Sequence, residues 1–369
     1  EFFKALGSPQ WHVAPMVDAS ELAFRMLCRK HGATCAYTPM VHSRLFVENP
    51  KYREEIFTTA GEDRPLLVQF CANDPDTLLR AAKLVEGRCD GVDINFGCPQ
   101  RIAKRGGYGA FLMDDLPKVE TMVRTLASQL SVPVTAKIRI FPELEKTLAY
   151  ARMIEAAGCK ILAVHGRTRE QKNTREHRAD WDAIRAVREA LSIPVLANGD
   201  VRCLDDARRL MQHTGAVGVL SALPLLSEPT LFSRELPSDG SGRPPWHGCL
   251  MASEYLDMVE QYPTPPRMVR GHMFKLLNDW FQEHHDLRNR LPKLNGGTRE
   301  GRDEMRALVR ELRGRIEACG REKPVPKLGE RARLRLEKEE AIKAAIEEQD
   351  REARALAALA AEPAPATSQ

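Results

Sequence analysis

The stretch of sequence that decides the fold is Asp93-Ile94-Asn95-Phe96-Gly97-Cys98-Pro99-Gln100. Residues 92 to 96 read as a short buried strand, and the glycine and proline on either side of Cys98 predict a turn that ends it. We therefore expect the thiol of Cys98 at the carboxyl end of a strand. In an α/β barrel the carboxyl ends of the strands form the rim at which chemistry takes place.

The segment after this turn, residues 101 to 110, bears on the role of Cys98. Cysteine is among the residue types most often buried, so the turn alone leaves a structural role open. The segment combines three basic residues with three glycines. Because glycine lets the backbone approach a ligand closely, such a loop can contact a phosphate. The combination favours a functional role for Cys98.

Seven further apolar runs alternate with helical segments on both sides of this stretch. Together the eight runs cover residues 11–15, 35–39, 66–71, 92–96, 133–138, 161–165, 194–197 and 216–220. Their number and spacing predict a parallel (β/α)8 barrel rather than an open sheet. Strands of such a barrel are buried on both sides, which explains why most of the runs lack alternation. Cys98, Lys137, His165 and Asn198 end or follow runs, so we expect them on one rim.

The rest of the chain predicts further units beyond a barrel domain of residues 1 to 235. The following segment is rich in proline, glycine and serine and predicts a linker. Residues 250 to 320 show helical spacing and predict a small helical domain. Residues 321 to 369 predict a charged tail, with a long solvated helix over residues 329 to 358 and a disordered C-terminus.

Composition limits the class of protein. The chain has 369 residues, of which 43% are hydrophobic, and a net charge of +4. That charge is too small to indicate a polyanionic partner by itself. Neither an apolar run of about 18 residues nor a secretory leader is recognised, so we expect no membrane association and a cytosolic location, with the nucleus left open. The nine cysteines form no Cys-x-x-Cys pair, which argues against disulfides and a metal site.

Eight motifs in a fixed order carry a resemblance to a known family. They are Ala14-Pro15-Met16-Val17, Tyr37-Thr38-Pro39-Met40, Val68-Gln69-Phe70, the stretch from Asp93 to Gln100, the stretch from Arg105 to Leu112, Ala136-Lys137-Ile138-Arg139, His165-Gly166-Arg167-Thr168 and Ala197-Asn198-Gly199. Taken jointly, they resemble the dihydrouridine synthases, most closely the eukaryotic type that acts on uridines 16 and 17 in the D-loop of tRNA. The resemblance is close over residues 11 to 235 and loose over residues 250 to 290.

The resemblance implies an activity. Enzymes of this family reduce uridine in tRNA to 5,6-dihydrouridine, using FMN that NADPH reduces again. By this resemblance, hydride passes from flavin N5 to C6 of the base, and Cys98 gives a proton to C5. An ordinary thiol is mostly protonated at neutral pH, which suits a proton donor. A thiolate nucleophile would need activation.

The resemblance also implies roles for other residues. Lys137 would lie against the flavin ring and stabilise negative charge on it, and Gln69 would contact the ring through its amide. The remaining cofactor contacts implied are Pro15, Met16, His165, Asn198, Gly199, Asp200, Ser221 and Ala222. The last strands of a barrel usually carry the phosphate site. Substrate contacts are expected from Asn95, at the uracil edge, and from Arg167.

Basic residues point to where tRNA would bind. Residues 165 to 178 hold five lysines or arginines against two glutamates, and the Cys98 loop adds three more basic residues. On the helical domain, Arg267, Arg270 and Lys275 are expected to complete a positive cleft for tRNA phosphates. A charge run can also be a plain solvated face.

Two departures from the family keep alternatives open. Leu223-Pro224 stands where the family usually has Glu-Gly or Arg-Gly, and since proline has no N–H to offer a phosphate, we expect weaker flavin binding. Residues 173 to 178 replace a loop of glycine and small residues, which leaves the loop geometry over the substrate open. The alternatives are a tRNA-binding protein with a weakened or lost flavin site, and a flavin oxidoreductase that acts on free pyrimidines.

Overall fold

A computed structural model of the chain describes residues 1–172, 176–236 and 242–325, together with residues 340, 341, 343, 344 and 348. The predicted tail helix and C-terminus therefore lie almost entirely outside the described residues, as do residues 173 to 175 of the loop over the substrate. Among the described residues, no helix combines the length and the hydropathy needed to cross a membrane.

The sheet closes into a barrel of eight parallel strands. The described part of the chain has nine strands, of which all but the third form the barrel: β1 (Trp11–Val13), β2 (Cys35–Tyr37), β3 (Val41–His42), β4 (Leu66–Cys71), β5 (Gly91–Phe96), β6 (Val134–Arg139), β7 (Leu162–His165), β8 (Val195–Asn198) and β9 (Gly218–Ser221). β1 pairs with both β2 and β9, and β2 pairs with β4, which closes the ring. β3 adds a short extension beside the end of β4. The predicted (β/α)8 barrel is confirmed.

Helices connect the strands and continue beyond the barrel. The helices are α1 (Phe2–Ala5), α2 (Leu22–Lys30), α3 (Ser43–Glu48), α4 (Pro50–Ile56), α5 (Pro75–Lys83), α6 (Arg101–Gly106), α7 (Leu116–Gln129), α8 (Leu144–Ala156), α9 (Trp181–Ala190), α10 (Leu204–Thr214), α11 (Leu223–Ser227), α12 (His247–Gln261), α13 (Pro266–Leu276), α14 (Asn278–Phe281), α15 (His285–Arg290) and α16 (Arg299–Cys319). Several begin at a side-chain cap, such as Asp74 for α5 and Asp180 for α9, each of which accepts a backbone N–H. Such a cap stabilises a helix by about 1 kcal/mol.

The barrel interior is packed and closed at its amino end. Inward-facing side chains, among them Tyr37, Leu67 and Leu220, form one buried cluster with Phe3 of α1. The short helix α1 thus covers the mouth formed by the amino ends of the strands. The mouth at the carboxyl ends remains available for a site.

The helices after the barrel pack directly onto it. α12 lies against α2, and Tyr255 of α12 and His272 of α13 both reach Glu21, at distances of 2.7 Å and 2.9 Å. All three side chains are buried. The division of the chain into a barrel, a helical domain and a tail stays a prediction.

Candidate functional site

The register of the strands brings the predicted residues to one rim. Asn95 lies beside Lys137, Arg139 beside His165, and His165 beside Asn198 in successive parallel pairs. Gln69 and Ser221 stand near the carboxyl ends of β4 and β9 in the same way. The common rim expected from the sequence is therefore present.

A chain of hydrogen bonds runs from a buried carboxylate to the turn that carries Cys98. Asp93 accepts hydrogen bonds from the Thr135 hydroxyl at 2.6 Å and from the Gln69 amide at 2.8 Å. The Gln69 carbonyl accepts from the Asn95 amide at 2.8 Å. The side-chain oxygen of Asn95 in turn accepts a hydrogen bond from the backbone N–H of Cys98 at 2.9 Å.

This chain has a single direction, because an ionised carboxylate can only accept hydrogen bonds. The NH2 group of the Gln69 side chain must therefore point toward Asp93. The side-chain oxygen of Gln69 is then left to accept the NH2 group of Asn95. Asn95 is thus a structural support of the Cys98 turn. Its contact with a uracil edge stays a prediction.

Burial in the barrel raises the pKa of Asp93 to about 6, against the hydrogen bonds from Thr135 and Gln69. A raised folded-state pKa means that the stability contributed by this carboxyl is fully present below its unfolded pKa and is lost as the pH rises through about 6. The variant Asp93→Asn does not ionise, so its stability relative to the wild type should improve by about 2–3 kcal/mol between pH 4 and pH 8. Urea unfolding at both pH values measures this change. A constant difference between the two proteins would contradict it.

The Cys98 turn is held in place by a backbone hydrogen bond and by packing. Cys98 is half-buried, and its carbonyl accepts the N–H of Ala110 at 3.0 Å. Gly109 has a φ of +67°, and a Cβ there would lie 2.7 Å from the Cys98 carbonyl oxygen, so only glycine fits. Cys71 and Tyr108 pack beside the turn. The thiol can therefore face a ligand in the mouth.

Lys137 places a positive charge in the mouth at the carboxyl ends of the strands. Its ammonium donates to the Asn198 side-chain carbonyl at 2.9 Å, and Asn198 donates to the backbone of Leu220 at 2.9 Å. Burial lowers the pKa of Lys137 to about 8, and the charge of Arg139 adds to the effect. A positive group that is partly stripped of water acts strongly on nearby negative charge.

His165 and Arg167 form a second buried group. The Arg167 guanidinium contacts the His165 ring at 2.9 Å, donates to the backbone carbonyl of His177 at 2.7 Å and pairs with Asp200. Burial, with the charges of Lys137, Arg139 and Arg167, holds the pKa of His165 well below its usual range. Arg167 is only 1% exposed. It therefore positions His165 and Asp200, and its contact with a substrate stays a prediction.

The ends of β8 and β9 present backbone donors that suit an anion. Among the described residues, none accepts a hydrogen bond from the N–H groups of Gly199, Asp200 and Ala222. Gly199 has a φ of +135°, and a Cβ there would lie 2.4 Å from Ala179. The Ser221 hydroxyl instead donates to the Val201 carbonyl at 3.1 Å.

The loop after β1, which holds Pro15 and Met16, adjoins this corner. The N–H of Ala14 donates to the Ser221 carbonyl at 2.9 Å. Leu223 and Pro224 begin α11, where the missing N–H of a proline in the first turn costs no helical hydrogen bond. The expected loss of flavin affinity at this position stays a prediction.

The basic residues differ in how much of their charge is available. Arg267 forms ion pairs with Asp18, at 3.1 Å, and with Glu55. Within the described part of the chain, Arg270 and Lys275 form no ion pair. The same holds for all three basic residues of α6. Arg267 therefore offers less free charge to a phosphate than the sequence indicates.

Sequence reasoning missed several residues that build the site. Asp93 and Thr135 anchor the hydrogen-bond chain from inside the barrel. Arg139 donates to the carbonyls of Gly97 at 2.9 Å and Thr168 at 2.8 Å, so it ties the Cys98 turn to the loop after β7. A charged residue within a largely apolar strand was the available signal for Asp93, whereas Arg139 ends a strand that also carries Thr135 and Lys137.

Comparisons with known proteins agree with this arrangement. The family model described as "Dihydrouridine synthase (Dus)" matches residues 12–312. A rat (Rattus norvegicus) protein named as similar to tRNA-dihydrouridine(16/17) synthase is 50% identical over 293 residues, which cover 79% of this chain and 65% of the rat protein. The Saccharomyces cerevisiae tRNA-dihydrouridine(16/17) synthase is 44% identical over 303 residues, covering 80% of this chain and 71% of the yeast protein.

The chain spans less than two thirds of two mammalian relatives, 65% of the rat protein and 60% of a mouse protein that is also named as similar to tRNA-dihydrouridine(16/17) synthase. A second yeast relative, from Schizosaccharomyces pombe, is 42% identical over 336 residues, which cover 86% of this chain and 81% of that protein. The family model alone extends over more than half of the sequence. This chain therefore belongs to the dihydrouridine synthase family.

Proposed function

We propose that this protein is a tRNA-dihydrouridine synthase that reduces uridine at position 16 or 17 of the D-loop. The observation that carries the proposal is the partly accessible Cys98, held by the Asp93 hydrogen-bond chain at the same rim as Lys137 and Asn198. The yeast relatives are named tRNA-dihydrouridine(16/17) synthases, with NAD(P)(+) in their names. Their similarity over most of the chain supports the same substrate here.

The residues of the mouth fit a flavin mononucleotide. The free backbone N–H groups of Gly199, Asp200 and Ala222 would receive its phosphate, and the cationic Lys137 would lie against its ring. The Gln69 amide is fully buried and already bonded to Asp93 and Asn95, so its contact with the ring stays a prediction. When bound and reduced, a flavin supplies a hydride to a substrate. NADPH is the proposed source of the electrons. We infer FMN from the phosphate corner and from the cation that Lys137 offers at the same rim.

The side chains of the protein complete the reduction. Negative charge develops on C5 and the C4 carbonyl of uracil as C6 gains a hydride. Cys98 transfers its proton to C5, leaving a thiolate that regains a proton from water. Lys137 stabilises negative charge on the ring system, and Asn95 keeps the Cys98 turn in register with the base.

The proposal is tested with the purified full chain, NADPH and tRNA from cells that lack D-loop dihydrouridine. Dihydrouridine at position 16 or 17, mapped by mass spectrometry of nuclease fragments, is the expected product. Free uridine should give no dihydrouridine, because a nucleoside has no phosphates for the basic residues outside the mouth to contact. Turnover of free uridine would favour a free-pyrimidine oxidoreductase. A protein that binds tRNA but shows no flavin absorbance would favour a binding protein without the activity.

The exposed basic residues of α6 give the next prediction. The double substitution Lys104→Ala with Arg105→Ala should weaken tRNA binding and reduce the slope of log K against log salt by about 1.5, since each lost phosphate contact removes about 0.7–0.9. Arg267→Ala is the matched comparison and should change the slope less, because Asp18 and Glu55 already neutralise that side chain. Filter binding at several salt concentrations measures both slopes. Equal slopes in the wild type and the double variant would exclude α6 from the phosphate contacts.

A further inference from the structure

The helix after the Cys98 turn carries an exposed aliphatic side chain. Within α6, Ala103 is fully buried, whereas Ile102 is 59% exposed. Ile102 lies four positions after Cys98, so their Cα atoms lie within about 14 Å of each other even if the chain were fully extended. Ile102 therefore stands at the edge of the mouth that the substrate must enter.

Hydrogen bonds to the backbone of α6 and of the segments beside it hold Ile102 in this position. The Asn73 amide donates to the carbonyl of Gly106 at 2.7 Å, and the N–H of Tyr108 donates to the carbonyl of Ala103 at 3.1 Å. With the carbonyl of Cys98 bonded to Ala110 as well, both ends of the short helix are fixed. The exposed side of α6 is thus a fixed surface.

The surroundings of Ile102 are cationic. Arg101, Lys104 and Arg105 are exposed and form no ion pair with any residue that the structure describes. A large apolar side chain among three free cations matches the chemistry of a nucleic acid, in which apolar base faces lie between phosphates. A protein partner with a plain acidic surface would gain nothing from the isoleucine.

Other exposed apolar side chains provide a comparison. In the described part of the chain, the exposed large hydrophobic residues are Val17, Leu45, Leu84, Ile102, Leu144, Leu223 and Val325. Five of these seven follow the carboxyl end of a strand and so belong to the rim of the site. Leu84, at the end of α5, lies toward the opposite mouth and is 48% exposed.

The proposed reaction creates a need for such a side chain. A base that enters the barrel mouth must leave its stack, which uncovers the face of its neighbour. Nucleic-acid-binding proteins often place an apolar side chain against bases that have been unstacked. Resting on the proposed function, we propose that Ile102 packs on the nucleobase next to the target uridine and stabilises the flipped-out state.

The test uses the chain of residues 1 to 369 with tRNA carrying 2-aminopurine next to the target uridine. Ile102→Ser should lower kcat/KM for tRNA by about tenfold, as expected for loss of one base contact, and should abolish the change in 2-aminopurine fluorescence on binding. The salt slope should stay at the wild-type value, since no charge is lost. Ile102→Met, which keeps an apolar contact, should restore most of kcat/KM. Flavin absorbance reports whether each variant is folded.

Leu84→Ser is the matched control, because it removes a similarly exposed aliphatic side chain away from the site. It should leave kcat/KM and the fluorescence change at wild-type values. Wild-type values for Ile102→Ser as well would overturn the role of Ile102 while the proposed function stands. A wild-type protein that forms no dihydrouridine would overturn both.

Discussion

Replacing Cys98 with alanine is expected to lower dihydrouridine formation by about 10²–10⁴-fold, the usual range for losing a general acid. The Asn95 carbonyl accepts the backbone N–H of residue 98, so the turn should keep its geometry when the thiol is removed. Flavin absorbance and the dissociation constant for tRNA should therefore change little. Single-turnover assays with reduced protein and tRNA measure the chemical step directly.

Cys203→Ala is the control for this variant. Cys203 is also partly exposed, but it precedes α10 and makes no side-chain hydrogen bond to the helix end. Its replacement should leave the single-turnover rate at the wild-type value. A Cys98→Ala protein that reduces uridine at the wild-type rate would remove the assigned proton donor.

The second large effect is expected for Lys137→Met. This substitution keeps the length of the side chain and removes the charge that would stabilise negative charge on the flavin and the base. We expect a loss of about 10²–10³-fold in the rate of uridine reduction, as for the removal of one electrostatic contact to a transition state. Lys160→Met, on an exposed lysine before β7 at the other end of the barrel, should have little effect.

The pH dependence gives Lys137 a distinctive signature. Because burial lowers its pKa from 10.5 to about 8, the side chain is cationic below pH 8 and neutral above it. Wild-type activity should fall as the pH rises through about 8. The rate profile of Lys137→Met should lack the part of this decline that the loss of the Lys137 charge causes. An identical decline in both proteins would assign the titration to another group.

The sequence predicted the barrel because parallel strands are buried on both faces and therefore appear as compact apolar runs. All eight runs correspond to strands, with ends that differ by no more than two residues. β3, α3 and α4 were not predicted. β3 has only two residues, and the two short helices after it lack the length at which periodicity becomes visible.

The site was predictable to the extent that it depends on register. Residues that end parallel strands must share a rim, so the grouping of Lys137, His165 and Asn198 followed from their positions in the runs. Partners set by tertiary packing could not be predicted. Arg267 pairs with Asp18, which lies 249 residues earlier, and no local pattern connects the two.

The contact of Glu21 with Tyr255 and His272 has a consequence for how this protein can be divided. Burial opposes the ionisation of Glu21, but the charge and hydrogen bonds of His272 and the hydrogen bond of Tyr255 outweigh it and lower the pKa. A barrel expressed without α12 and α13 would hydrate that carboxylate and expose the apolar surface beside it, including Phe24, whose ring centroid lies 4.2 Å from that of His272. Recombination or truncation that separates the two halves would thus yield a poorly soluble barrel, so they are expected to be inherited as one piece.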